Sequence, residues 1–169
     1  MTTLLKNKLI KSAIYISIVI FVFAATISAN AQQINFSGQW KLNTSKSEFG
    51  KVPPYAAVKQ FDIQQQNNVI SIKRVTIDEK DKEYITSERD DINSKPESFL
   101  MADHRTKTNT LSWSEDGKML TTVSTYSAPD DPTDITSKIS QTWSISSAGE
   151  FVVTLTTKSY TIKAVYDKQ

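Results

Sequence analysis

Residues 141–155 read QTWSISSAGEFVVTL. Trp143 and Ile145 alternate with polar residues, Ser147-Ala148-Gly149-Glu150 interrupts them, and Phe151, Val153 and Leu155 resume the alternation. Period two is the mark of a strand with one buried face. A glycine-containing break between two such runs marks a hairpin, because glycine accepts positive φ. The same rhythm fills most of the chain. Phe36, Gly38, Trp40 and Leu42 share one face, as do Phe61 and Ile63. Met119, Thr121, Val123 and Thr125 share a parity, as do Ile135, Ile139, Trp143 and Ile145, and finally Tyr160, Ile162, Ala164 and Tyr166. Ile70-Ile72 and Val75-Ile77 alternate with a phase slip at Lys73-Arg74, which predicts a β-bulge there.

Turns separate these runs. Gln66-Asn67-Asn68, Glu79-Lys80-Asp81 and Glu115-Asp116-Gly117-Lys118 are short hairpin connections. Ser127 to Asp134 reads as a longer loop, and Lys46 to Tyr55 (KSEFGKVPPY) as the longest interruption, with two prolines that no central strand tolerates. Helical spacing is nowhere sustained. The expectation is an all-β, antiparallel up-and-down meander of about nine or ten strands (eight at the fewest), closed into a barrel. Closure would remove both sheet edges. A two-layer sandwich is the alternative.

The first 31 residues stand apart. Lys6, Lys8 and Lys11 are their only charges, Ala13 to Ile27 is almost wholly apolar, and Ala29-Asn30-Ala31 offers small residues for a signal peptidase. This is the secretory pattern. Residues 1–31 are therefore expected to be a signal peptide, helical before cleavage, and residues 32–169 the domain. A retained anchor is the alternative, since no charge appears between Lys11 and Lys41. After cleavage no membrane span would remain. The absence of cysteine fits a periplasmic or secreted bacterial protein and excludes lipoprotein attachment.

Composition narrows function. Lys and Arg number 20 against 18 Asp and Glu, and removing the three leader lysines leaves 17 against 18. A domain of net charge −1 lacks the basic excess that nucleic-acid binding needs. Zero Cys and one His exclude thiol chemistry and any two-histidine site. His104, beside Asp103, is the one candidate for acid–base work or haem ligation, though it lies in a polar stretch. Glu88, Asp90 and Asp91, or Asp130, Asp131 and Asp134, supply oxygen ligands in number but without the spacing of a calcium loop. No catalytic, cofactor or metal site is assigned.

Gly38-Gln39-Trp40 at the start of the first domain strand resembles the G-x-W signature of lipocalins and their calycin relatives. The longer stretch Phe36 to Asn43, with Lys46 to Gly50 and Pro53, and the closing Val165-Tyr166-Asp167-Lys168, look like small secreted lipocalin-like proteins of Gram-negative bacteria. The resemblance implies a barrel, export to the periplasm or medium, and a structural role for Gly38 and Trp40. Lipocalins also carry an Arg that packs over the signature Trp, whereas Lys158, Lys163 and Lys168 are the cations of the last strands here. The fatty-acid-binding relatives hold a carboxylate with Arg-x-Tyr, for which this chain has Lys163-Ala164-Val165-Tyr166.

Polar and aromatic residues on an inward parity are the candidates for a ligand pocket: Thr121, Thr125, Gln141, Trp143, Tyr160 and Tyr166. The favoured function is binding of a small, mainly apolar molecule inside the barrel. A filled barrel acting through protein–protein contacts is a second reading, and a calycin-type barrel enzyme a third. The oligomeric state is not legible.

Overall fold

The computed structural model describes residues 33–92 and 95–169. The predicted signal peptide and its helix lie outside the described residues.

Ten antiparallel strands form one sheet. They are β1 (Gly38–Leu42), β2 (Gln60–Gln66), β3 (Val69–Ile77), β4 (Glu83–Asp91), β5 (Glu97–Leu100), β6 (Thr106–Trp113), β7 (Leu120–Ala128), β8 (Asp131–Ile145), β9 (Phe151–Thr156) and β10 (Thr161–Lys168). Their order is β4-β3-β2-β1-β10-β9-β8-β7-β6-β5. Every consecutive pair except β4 and β5 lies side by side, and β1 pairs with β10. This is the up-and-down meander, curled into a half-barrel. It differs from a sealed barrel: β4 and β5 end the sheet, and no register joins them among the described residues.

One end of the curl is filled with aromatic side chains. Phe61 on β2, Trp143 on β8, Phe151 on β9 and Tyr166 on β10 pack edge-on or tilted, with centroids 5.1–5.7 Å apart. Such geometry sets the positive ring edge against the negative face. Trp40 joins them against Phe151 at 5.5 Å. The segment before β1 straps this base shut. Phe36 inserts between Trp113, Trp143 and Phe151. Gln65 holds the strap by accepting from the Phe36 amide (3.0 Å) and donating to the Ile34 carbonyl (3.1 Å). The Ile34 amide donates to the Gly117 carbonyl in the β6–β7 turn (3.0 Å).

The interruption between β1 and β2 is confirmed, and its role is cover. Asn43 Oδ1 accepts from the amides of Ser45 and Lys46, turning the chain. The segment then runs beside β10, with the Asn43 amide on the Val165 carbonyl and Glu48 bridging Lys163. Val165 is buried beneath it although it faces away from the aromatic base. Pro54–Ala56 is the only helical turn among the described residues.

Three local expectations are corrected. The phase slip in β3 is no bulge: the register runs unbroken from Val69 to Ile77 against β4 and from Val69 to Val75 against β2. Ile70, Ile72 and Arg74 stay on the inner face, so the apparent slip records a charged residue turned inward. The register shifts lie instead between β7 and β8, at Tyr126/Ser127 and Ser127/Ala128, where Thr136 and then residues 132–134 of β8 have no partner on β7. Pro132, which has no N–H to give a ladder, falls in the second of these unpaired stretches. The loop predicted over Ser127–Asp134 shrinks to Pro129-Asp130, because β8 begins at Asp131. Finally, the inner parity of β7 is that of Leu120, which pairs with Trp143.

Candidate functional site

Above the aromatic base the inner wall changes character. Arg74 sits at the boundary, its guanidinium 5.7 Å from the Phe61 ring centroid and paired with Glu88 on the neighbouring strand. The two side chains are 16% and 32% exposed, so the pair is largely withdrawn from solvent. Over it lies a cavity of about 300 Å³. One wall is Arg74 with Thr86, Glu88 and Asp90 of β4. The other is Lys107, Asn109 and Leu111 of β6, Thr122, Ser124 and Tyr126 of β7, and Ile139 and Gln141 of β8. The curl of the sheet brings these strands face to face although β4 and β6 are far apart in sheet order.

The polar groups of this wall are partly committed to each other. Ser124 Oγ donates to Asn109 Oδ1 (2.8 Å). Trp143 Nε1 donates to Gln141 Oε1 (3.2 Å), which leaves the Gln141 amide hydrogens to the cavity. Asp90 is 7% exposed. Burial first, and the neighbouring Glu88 charge second, raise its pKa above the ordinary Asp value, while Arg74 and Lys107 act the other way. The Tyr166 phenol, deep in the base, has its pKa raised by burial, partly offset by the Arg74 charge.

The sequence-derived candidates divide. Gln141 lines the cavity. Trp143 and Tyr166 are buried in the base beneath it. Thr121 and Thr125 lie on the outer parity, paired with Ser112 and Thr108, while Thr122 and Ser124 occupy the cavity wall. The error arose from Met119, which lies before the strand and is 43% exposed. Tyr160 lines a separate groove of about 810 Å³ between β8 and the β9–β10 turn. Arg74, Lys107 and Asn109 were missed, and Glu88 and Asp90, weighed from sequence only as oxygen ligands for a metal, line the cavity. Continuing the parity of Ile70 and Ile72 through the phase slip would have flagged Arg74.

Gly38 and Trp40 have definite structural work. Trp40 Nε1 donates to the Phe36 carbonyl (2.8 Å), tying strap to strand. Lys168 places its ammonium 5.5 Å from the Trp40 ring centroid, taking the place the resemblance gives to Arg. His104 sits in the β5–β6 turn with φ of 64° and its Nδ1 3.2 Å from Asp130. The expected partner Asp103 holds Arg105 instead.

The fold is calycin-like. The chain is similar to the REP1-NXSQ fatty acid transporter (14% identity, TM-score 0.51, covering 79% of this chain and 95% of that one). It is similar to the fluorescent protein UnaG (15%, TM-score 0.54, 79% and 97%). It is also similar to a Schistosoma mansoni fatty acid binding protein solved with arachidonic acid (12%, TM-score 0.51, 79% and 96%). At such identities the likeness concerns the barrel architecture alone. No protein-family model matches the sequence, and no curated protein matches it.

Proposed function

We propose that the half-barrel binds one small, mainly apolar molecule above its aromatic base. The observation that carries this reading is the incomplete filling of the interior. Trp40, Trp113, Trp143, Phe61 and Phe151 occupy the strapped end, yet a cavity of about 300 Å³ remains above them. That is at the small end of the range for ligand pockets, roughly 300–1,000 Å³. Leu111, Tyr126 and Ile139 offer apolar surface, and Gln141 and Asn109 offer directional hydrogen bonds. The Schistosoma protein solved with arachidonic acid and a zebrafish ileal bile acid-binding protein solved with cholic acid (17% identity, TM-score 0.50) support this ligand class.

The test is native mass spectrometry of the protein purified from its own source, followed by thermal shift against lipids and metabolites. A co-purifying small molecule, lost in Ser124→Phe, is the expected result. A clean apo mass with no thermal shift would sink the reading. The rival, a non-binding protein acting through surface contacts, draws on Ile85 and Leu100. They are 62% and 77% exposed on the two strands that end the sheet.

The same reading includes export, with residues 1–31 removed and residues 32–169 released to a periplasm or medium. Mass spectrometry of the mature protein should find Gln32 at the N-terminus, and any other start corrects the cleavage site.

A further inference from the structure

The sheet wall is uneven. β8 is 15 residues long, whereas β9, beside it, is 6. Their pairing begins at Ser140 opposite Thr156, so Asp131–Ile139 rises past the end of β9. The β9–β10 turn, Thr157–Tyr160, sits below this overhang. The resulting notch is the groove of about 810 Å³. Its apolar surface comes from Ile135, Ile139 and Tyr160. Its charges are Lys138 on one wall and Lys158 on the other, with no carboxylate among the lining residues. Both lysines are exposed, and neither makes an ion pair with a described residue. Ile139 also lines the interior cavity, so groove and cavity meet at that side chain.

We infer that this notch is the entrance to the cavity and holds the anionic end of an amphipathic ligand, with Lys138 and Lys158 neutralising it and Ile139 leading its apolar body inward. The inference rests on the binding function proposed above and gives that ligand a charge and an orientation. Charge complementarity decides the orientation. Inside the cavity, Arg74 and Lys107 are accompanied by Glu88 and Asp90, so an anion placed there meets two carboxylates. In the notch it meets two ammonium groups and none. Leaving the anion at the rim also keeps it partly hydrated, which avoids most of the desolvation cost of burying a charge.

The experiment compares two fluorescent probes of one scaffold, 8-anilinonaphthalene-1-sulfonate and the neutral N-phenyl-1-naphthylamine. They are titrated into the wild-type protein, Lys138→Gln/Lys158→Gln and Ser124→Phe. The lysine double variant is expected to weaken the sulfonate roughly fivefold, as two exposed ion pairs of ordinary strength provide, and to leave the neutral probe unchanged. High salt should act on the sulfonate in the same sense. Ser124→Phe, which fills the cavity from the inner face of β7, should expel both probes. If the lysine changes spare both probes, or weaken both equally, while Ser124→Phe expels both, the notch inference fails and the cavity reading stands. If the wild type binds neither probe, the cavity reading fails and takes the inference with it. If the lysine changes weaken the sulfonate but Ser124→Phe weakens neither probe, the notch is a surface anion site and no entrance, which also overturns the inference.

Discussion

The ring of Phe36 lies flat against that of Trp113, with centroids 5.7 Å apart and planes 4° from parallel. Phe36 precedes the first strand and Trp113 ends the sixth, so the contact ties the strap to the far arm of the half-barrel. Phe36→Ala should destabilise the domain by about 3–5 kcal/mol, the usual cost of emptying a buried aromatic site. Trp113→Phe keeps an aromatic ring opposite Phe36 and removes the one buried side-chain donor without an acceptor among the described residues. It should cost less than Phe36→Ala. Urea unfolding of both variants, followed by far-UV circular dichroism, checks the order.

Gly38 has φ of +144°, a conformation that a side chain resists. A Cβ there would also approach Lys168 Cε to 3.1 Å, but that flexible chain can move aside. The backbone therefore sets the cost, and Gly38→Ala should lose about 1–3 kcal/mol. Shortening the neighbour in Gly38→Ala/Lys168→Ala should not restore it. Full rescue by the second change would show that space, not φ, is the constraint.

Asp90 is held above its ordinary pKa mainly by burial. Its charged form is thus disfavoured in the folded state, and the penalty grows as pH rises from the unfolded value through the raised folded one. Asp90→Asn should raise the melting temperature at pH 7 and have little effect at pH 3, where Asp90 is already protonated. An equal shift at both pH values would assign the effect to packing instead.

Lys46 Nζ lies 2.8 Å from both Glu150 and Asp167, anchoring the covering segment to the β8–β9 turn and β10. Its hydrogen bond is the largest cause lowering each carboxylate's pKa, with Ser146 adding to Glu150 and Asn43 to Asp167. A lowered carboxylate pKa stabilises above the unfolded value, and that contribution is lost as pH falls through the folded one. The wild type should therefore lose more stability than Lys46→Met on acidification through the range beneath about pH 4.5, the ordinary Glu value. The two curves should converge at the acid end. Parallel curves in pH-dependent thermal unfolding would show that the network contributes nothing.

Where a strand has one apolar face and a glycine or asparagine turn, its sequence is sufficient. Phe151-Val153-Leu155 and Ile162-Ala164-Tyr166 keep their predicted face, whereas Tyr160 falls in the turn before β10. Reading failed where the inner face turns polar. Arg74 breaks the apolar pattern of Ile70 and Ile72 without breaking the register. In β7, the apolar Met119 and Val123 drew attention to the outer face, while Thr122, Ser124 and Tyr126 lined the cavity. Alternation records which residues avoid water, and a cavity wall is the one interior surface that need not.

Local sequence determined the strands, their antiparallel succession and the apolar face on which Trp40, Phe61, Trp143, Phe151 and Tyr166 lie. These depend on period-two burial and on turn residues, which act over a few positions. Tertiary structure alone decided that β4 and β5 end the sheet, that Arg74 and Glu88 meet above Phe61, and that β8 outruns β9 to leave a lysine-flanked notch. Each of these depends on how far a strand extends beside a partner remote in sequence, and on how tightly the whole sheet curls, neither of which any single stretch of residues encodes.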